Sequence, residues 1–166
     1  MGMAGFFAAV DADTLDRLRA EPERLADYLF PDDDEGTELE NAIDVDKAWH
    51  AIHYLLNGTA EGGDEPYALV VLGGQEIGED IGYGPARLLF PEQVADIAGA
   101  LREFDADALA ARFDPEAMEE SQIYPEQIWT RDGQEALDYV LHYYQLLCGF
   151  YEEAAARGDG VILWLG

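Results

Sequence analysis

Two kinds of apolar pattern run along this 166-residue chain. Short unbroken apolar runs lie near its two ends, and stretches with an apolar residue every three or four positions fill most of the space between. Met3 to Val10 is the first unbroken run; it stops at an aspartate and reads as a strand. Val161-Ile162-Leu163-Trp164-Leu165 closes the chain and reads as another. After the first run, Asp13 is expected to cap a short helix to about Ala20. Pro22 is expected to open a second one, to about Phe30. The stretch PDDDEGTELEN that follows reads as a solvated acidic loop. Its spacing lacks the alternate ligands, central Gly and terminal Glu of an EF-hand.

The middle of the chain is broken by glycines. PYALVVLGG fits a strand ending in glycines, with a helical turn as the alternative, and IGYGPARLLF fits a turn leading into extended chain. Pro91 opens a helix with Val94, Ile97, Ala98 and Leu101 on one face. DADALAARF and DPEAMEE read as short helices with Asp caps. The longest helix is expected from Asp132 to about Arg157, where Gly158 to Gly160 end it. It is apolar around most of its circumference, as a central core helix is. There are no internal repeats and no Ser/Pro linker. The expected fold is α+β, with residues 1–166 as a single compact domain and a small mixed sheet packed between helices.

One helix draws attention for its chemistry. DKAWHAIHYLLNGT, residues 46–59, holds two of the three histidines, one of the three tryptophans and the only lysine. Plotted at about 100° per residue, it splits cleanly. One side carries His53, Asp46, Asn57, His50, Tyr54 and Lys47; the other carries Ala51, Leu55, Ala48, Ile52, Val45, Leu56 and Trp49. Asp46, His50 and His53 fall within about 60° of one another, a spacing that suits a divalent metal. The HExxH motif is absent, however, and a polar, wet helix face explains the same residues. No metal and no cofactor is therefore expected. Lys47 stands among Asp44 and Asp46 in a chain whose other basic residues are all arginine, so it is expected either in an ion pair or as an ammonium facing a pocket. Asp138 and His142 form an ordinary i, i+4 pair on the long helix.

Charge narrows the partners. Thirty-six acidic residues against nine basic ones give a formal net charge of −27, and the pI is near 4.1. Such a surface repels nucleic-acid phosphates and anionic lipid. The acids are spread through the chain, which suits a solubilising surface better than an ordered mimic of DNA. Cys148 is the only cysteine and lies among apolar neighbours, as an inert buried thiol does. No apolar run approaches the roughly 18 residues needed to span a bilayer, and no Arg/Lys-headed apolar stretch opens the chain. A cytoplasmic protein is expected, and the Asn57-Gly58-Thr59 sequon carries no weight. Leu72-Gly73-Gly74-Gln75 lacks the ending of a P-loop, and Gly82-Tyr83-Gly84 lacks the third glycine of a dinucleotide fingerprint. Gly84-Pro85-Ala86-Arg87 reads as a tight turn that presents Arg87. No GxSxG elbow and no accessible Cys-His pair is evident, so no catalytic residue is assigned.

The segments in order resemble the YfbM-like family of uncharacterised bacterial proteins. The matching pieces are the opening MGMAGFF, then Asp44-Val45-Asp46-Lys47-Ala48-Trp49 with Ile52-His53, Leu56 and Gly58. Gly84-Pro85-Ala86-Arg87, Ile123-Tyr124-Pro125 and the closing VILWLG follow. The resemblance implies a compact α/β domain and no particular activity. It includes His53 but leaves the position of His50 open, which argues against a metal site that needs both.

Two function classes remain. The leading one is a non-enzymatic module that binds a small molecule or a protein partner, with Lys47, Trp49, His53, Arg87 and Tyr124 as its candidate ligand-binding residues. The alternative is an enzyme, for example a hydrolase, with a cleft around Lys47, His53, Arg87 and Tyr124; convergence of these groups in one pocket discriminates the two. The charge itself makes a prediction. Self-repulsion among acids weakens the compact state, so NaCl is expected to raise the melting temperature until the Debye length falls below about 5 Å. A melting temperature that is flat or falls with salt shows the charges to be locally compensated.

Overall fold

The first apolar run forms strand β1 (Gly5–Val10), and Asp11 caps helix α1 (Ala12–Ala20) by accepting the Thr14 N–H. The cap is thus two residues earlier than Asp13, because the strand ends directly in the helix. In the computed structural model residues 2–30, 41–81 and 83–166 are described. The acidic stretch PDDDEGTELEN lies outside them except for its last residue. Pro22 opens a 3-10 turn (Pro22–Arg24) that runs into helix α2 (Leu25–Leu29).

A three-residue strand, β2 (Ala42–Asp44), precedes a second 3-10 turn (Asp46–Ala48) and helix α3 (Trp49–Asn57). PYALVVLGG is not a strand. It supplies a 3-10 turn at Tyr67–Leu69, and the strand lies beyond the glycines as β3 (Gln75–Asp80), with only Ile77 buried. Strand β4 (Pro85–Leu89) leads into α4 (Pro91–Arg102), whose Val94, Ile97, Ala98 and Leu101 are all buried. Asp105 and Asp114 cap α5 (Ala106–Ala111) and α6 (Pro115–Glu120) through the Ala108 and Ala117 N–H groups. Asp132 does not begin the long helix. It ends α7 (Ile128–Asp132), and Gly133, at φ +55°, turns the chain into α8 (Gln134–Arg157). The closing run is β5 (Gly160–Leu165).

The strands form one sheet in the order β2-β1-β5-β4-β3, and every pairing is antiparallel. The expected α+β class holds, while the expectation of a mixed sheet does not. β1 and β5 pair along their whole length, Phe7 opposite Leu163 and Ala9 opposite Val161. Those four side chains, with Leu89, face α3, α4 and α8. The alternate residues Ala8, Val10, Ile162 and Trp164 face Leu15 and Leu18 of α1 and Leu25 and Leu29 of α2. Both faces of the central strands are therefore covered, which is why their sequences are continuously apolar instead of alternating.

The layers are closed by polar groups that reach backbone carbonyls. Tyr151 on α8 donates its hydroxyl to Val70 O at 2.6 Å, and the Trp129 indole donates to Ile123 O at 2.9 Å. Arg112 donates to Leu56 O at 3.0 Å, an acceptor in the last turn of α3.

Gly160 marks the tightest strand contact with a testable outcome. A Cβ added there would lie 2.7 Å from Leu89 O on β4 and 2.7 Å from Leu15 Cδ2. A leucine tip can move, but a backbone carbonyl in a paired strand cannot do so cheaply. Gly160→Ala is expected to cost about 1–3 kcal/mol, the range of small-to-large changes in packed cores. An unchanged midpoint in a urea melt would show that β4 yields freely.

Candidate functional site

The stretch that stood out in the sequence forms a 3-10 turn followed by α3, not one continuous helix. Asp46 has a left-handed φ of +48°. Its N–H is held by Asp44 Oδ1 at 3.1 Å, and its own Oδ2 accepts the Tyr139 hydroxyl at 2.7 Å. The same phenolic oxygen accepts the Lys47 N–H at 3.0 Å. Tyr139 on α8 thereby fixes the turn that aims Lys47. Burial pushes the Tyr139 pKa up, and the hydrogen bond to Asp46 adds to the shift, so the phenol stays protonated as the donor.

Three of the five candidate residues gather around Gly2 and Met3. The Trp49 indole donates to Met3 O at 2.8 Å, and the Met3 N–H donates to the Tyr124 hydroxyl at 2.8 Å. The Trp49 and Tyr124 rings stack with centroids 5.6 Å apart. Lys47 lies across Gly2: a Cβ on that glycine would sit 2.2 Å from Lys47 Cε, and 2.9 Å from both Lys47 Nζ and the Tyr124 hydroxyl. The end of the lysine side chain occupies the space that a Cβ on Gly2 would take. Trp49 is buried, as its apolar helix face predicts, and Lys47 is exposed.

The other two candidates point into the protein. His53, placed on the wet side by the helical plot, is wholly buried. The chain after α3 covers it. Its Nδ1 lies 3.4 Å from Asn57 Nδ2, and among the described residues its Nε2 has no hydrogen-bond partner. The Gly62 backbone is close enough to favour the protonated ring without completing a hydrogen bond to Nε2. Burial outweighs that pull, and His50 and Arg87 add to it, so the His53 pKa is lowered. Arg87 is not presented outward by its turn. It pairs opposite Leu163 on the face of β4 that meets the larger helical layer, and its Nη1 donates to Val71 O and Gly73 O at 3.2 and 3.1 Å. Burial lowers its pKa as well.

The five residues thus form two groups, and they do not share a pocket. His50 is bound elsewhere than to a metal: its Nε2 is 3.0 Å from Ala60 O, and its Nδ1 accepts the Tyr124 N–H at 2.9 Å. Among the described residues no three His, Cys, Asp or Glu side chains gather as a metal site would require. Cys148 is partly buried, which pushes its thiol pKa up, and it contacts Tyr144.

Among the described residues Lys47 lines an open concavity, which the other four candidates do not share. It is a groove of about 400 Å³ shared with Pro125, Ile128, Ala136 and Tyr139, with the cation Arg131 and with the acids Asp132 and Glu135. Arg131 is paired to Asp132 through two hydrogen bonds, at 2.8 and 2.9 Å. No sequence signal marked Ile128, Arg131, Ala136 or Tyr139, because they reach Lys47 from helices some eighty or ninety positions further along the chain. Behind the groove, Glu119 holds the start of α7 by accepting the Gln127, Trp129 and Thr130 N–H groups.

The fold and sequence have known counterparts. Protein YfbM of Escherichia coli strain K12 is 29% identical over 129 residues, spanning 75% of this chain and 74% of that one. The crystal structure of YfbM from Escherichia coli, titled a protein of unknown function, superposes with a TM-score of 0.76 at 21% identity. It covers 98% of this chain and 99% of that one. Among the described residues no helix is long and apolar enough to cross a membrane. With residues 1–164 matching the family's pattern, the chain belongs to the family described as domain of unknown function DUF1877.

Proposed function

We propose that this protein is a non-enzymatic binding module whose ligand, a small molecule or a segment of a partner protein, docks in the Lys47 groove by an anionic group. The observation that carries this reading is the state of Lys47. It is the only lysine; its stem lies against Gly2, its backbone N–H is held by Tyr139, and the residue is exposed. Among the described residues it makes no ion pair, although Asp44 and Asp46 are its sequence neighbours and Asp46 is instead taken by Tyr139. A cation beside the apolar surface of Pro125, Ile128 and Ala136 suits a ligand with an apolar body and one carboxylate or phosphate.

In this reading Trp49 and Tyr124 position Lys47 from behind through the Gly2–Met3 segment. His53 and Arg87 belong to the interior and lie outside the groove. The enzymatic alternative has less support, because the groups it requires divide between the groove and the core. Among the described residues that line the groove there is no serine, threonine, cysteine or histidine.

The test is a titration of a panel of aromatic and aliphatic carboxylates and phosphates, followed by NMR at Lys47 and Ile128. At least one member of the panel is expected to shift both residues. Lys47→Gln is expected to weaken that member about tenfold to a hundredfold, the scale of one charge-assisted hydrogen bond. A panel that leaves both residues unmoved, or binding that survives Lys47→Gln unchanged, defeats the proposal.

A further inference from the structure

The hydrogen bonds of His50 leave it one protonation state. The Tyr124 N–H points at Nδ1, which must therefore offer its lone pair. Nε2 must then carry the proton and donate to Ala60 O. Only the neutral Nε2–H tautomer satisfies both neighbours. A second proton can enter only at Nδ1, where it would meet the Tyr124 N–H donor to donor. The imidazole cannot easily swing aside, because it is stacked on Trp49 at 5.0 Å and 15°.

Tyr124 is the residue through which such a clash would travel. Its N–H is on His50, its hydroxyl receives the Met3 N–H, and its ring stacks on Trp49. The next residue, Pro125, lines the Lys47 groove. We infer that His50 is a proton-operated clamp: neutral, it holds Tyr124–Pro125 against α3, and protonated, it lets that segment go and opens the wall of the groove. The effect on ligand binding rests on the groove being the binding site; the clamp itself does not.

The surroundings set the direction. Burial disfavours the imidazolium and lowers the His50 pKa. Ala60 O and the Glu61 carboxylate, both on the chain after α3, pull it back up by less. His53, one turn further along α3, opposes a second charge. Trp49 and the Tyr124 backbone bring no charge. Because the folded pKa is below the unfolded one, the clamp's contribution to stability is whole above about pH 6.5. It is lost as the pH falls from there through the folded value, so release belongs below the ordinary histidine range.

The experiment follows the full chain by NMR from about pH 7.5 downward until the His50 ring has titrated, and acid unfolding before that point overturns the clamp as a native-state device. The nitrogen shifts of the His50 ring report its tautomer and titration, and are resolved from those of His53. Hydrogen exchange of the Tyr124 amide and the Ile128 methyl shift are read in the same series. The Nε2–H tautomer is expected at neutral pH. Tyr124 protection, corrected for intrinsic exchange, is expected to fall about tenfold with the His50 midpoint, and Ile128 to shift with it. His50→Gln keeps an acceptor and a donor without a titrating group, and is expected to hold protection constant. Protection that stays constant through the wild-type His50 titration overturns the clamp, as does a transition that persists in His50→Gln. An Ile128 methyl that ignores the midpoint overturns the link to the groove. None of these readouts uses a ligand, so a groove that binds no carboxylate or phosphate leaves them standing.

Discussion

Strand β5 is hydrogen-bonded to β1 on one side and β4 on the other, and its side chains are buried on both faces. Everything else is arranged around that strand. Phe7, Leu89 and Leu163 give α3, α4 and α8 a surface to pack on, and Ile162 and Trp164 give α1 and α2 theirs. Trp164 also stacks on Phe6 across the β1–β5 pair at 5.4 Å. Without β5 the sheet would separate into a β2–β1 ribbon and a β4–β3 hairpin. Two-stranded units of that kind are marginal in water.

Much of this was legible in the sequence where burial and backbone period agree. The continuous apolar runs marked β1 and β5, and the Asp-capped helices α5 and α6 fell where their caps placed them. The failures have physical reasons. β3 is an edge strand with one buried residue, so QEIGED shows neither alternation nor an apolar run. β2 is three residues long. PYALVV is apolar because it lies under α8, with Tyr151 holding the Val70 carbonyl, and not because it is extended. The antiparallel order depends on pairing β5 with β1 and β4, where partners such as Gly5 and Leu165 or Leu89 and Val161 are far apart in the chain, and local pattern does not encode that.

The site was less legible than the fold. The helical plot separated polar from apolar residues correctly, but it treated residues 46–59 as one helix. The left-handed Asp46 and the 3-10 turn change the phase before α3 begins. A plot of one helix also takes its polar side to face water. Here the chain after α3 covers that side, so His53 is buried and His50 is bridged between Ala60 and Tyr124. Arg87 misled for a related reason, since its turn was visible and the register that points it inward was not. Lys47 was the one candidate whose rarity alone made it stand out.

The position of β5 has a consequence for how the chain reaches this state. Synthesis delivers β1 well before its main partner β5, since Gly5 pairs with Leu165 and Val10 with Gly160. The helices between can form locally, but their apolar faces wait for a sheet that is incomplete until residue 165 is available. Pairings this distant close large loops before they are rewarded, and folds that depend on them assemble in roughly milliseconds to seconds instead of microseconds. During that interval β1 offers Phe6, Phe7 and Val10 to any other strand. A dense, like-charged chain keeps neighbouring copies apart, so the acidity matters most before the native structure exists.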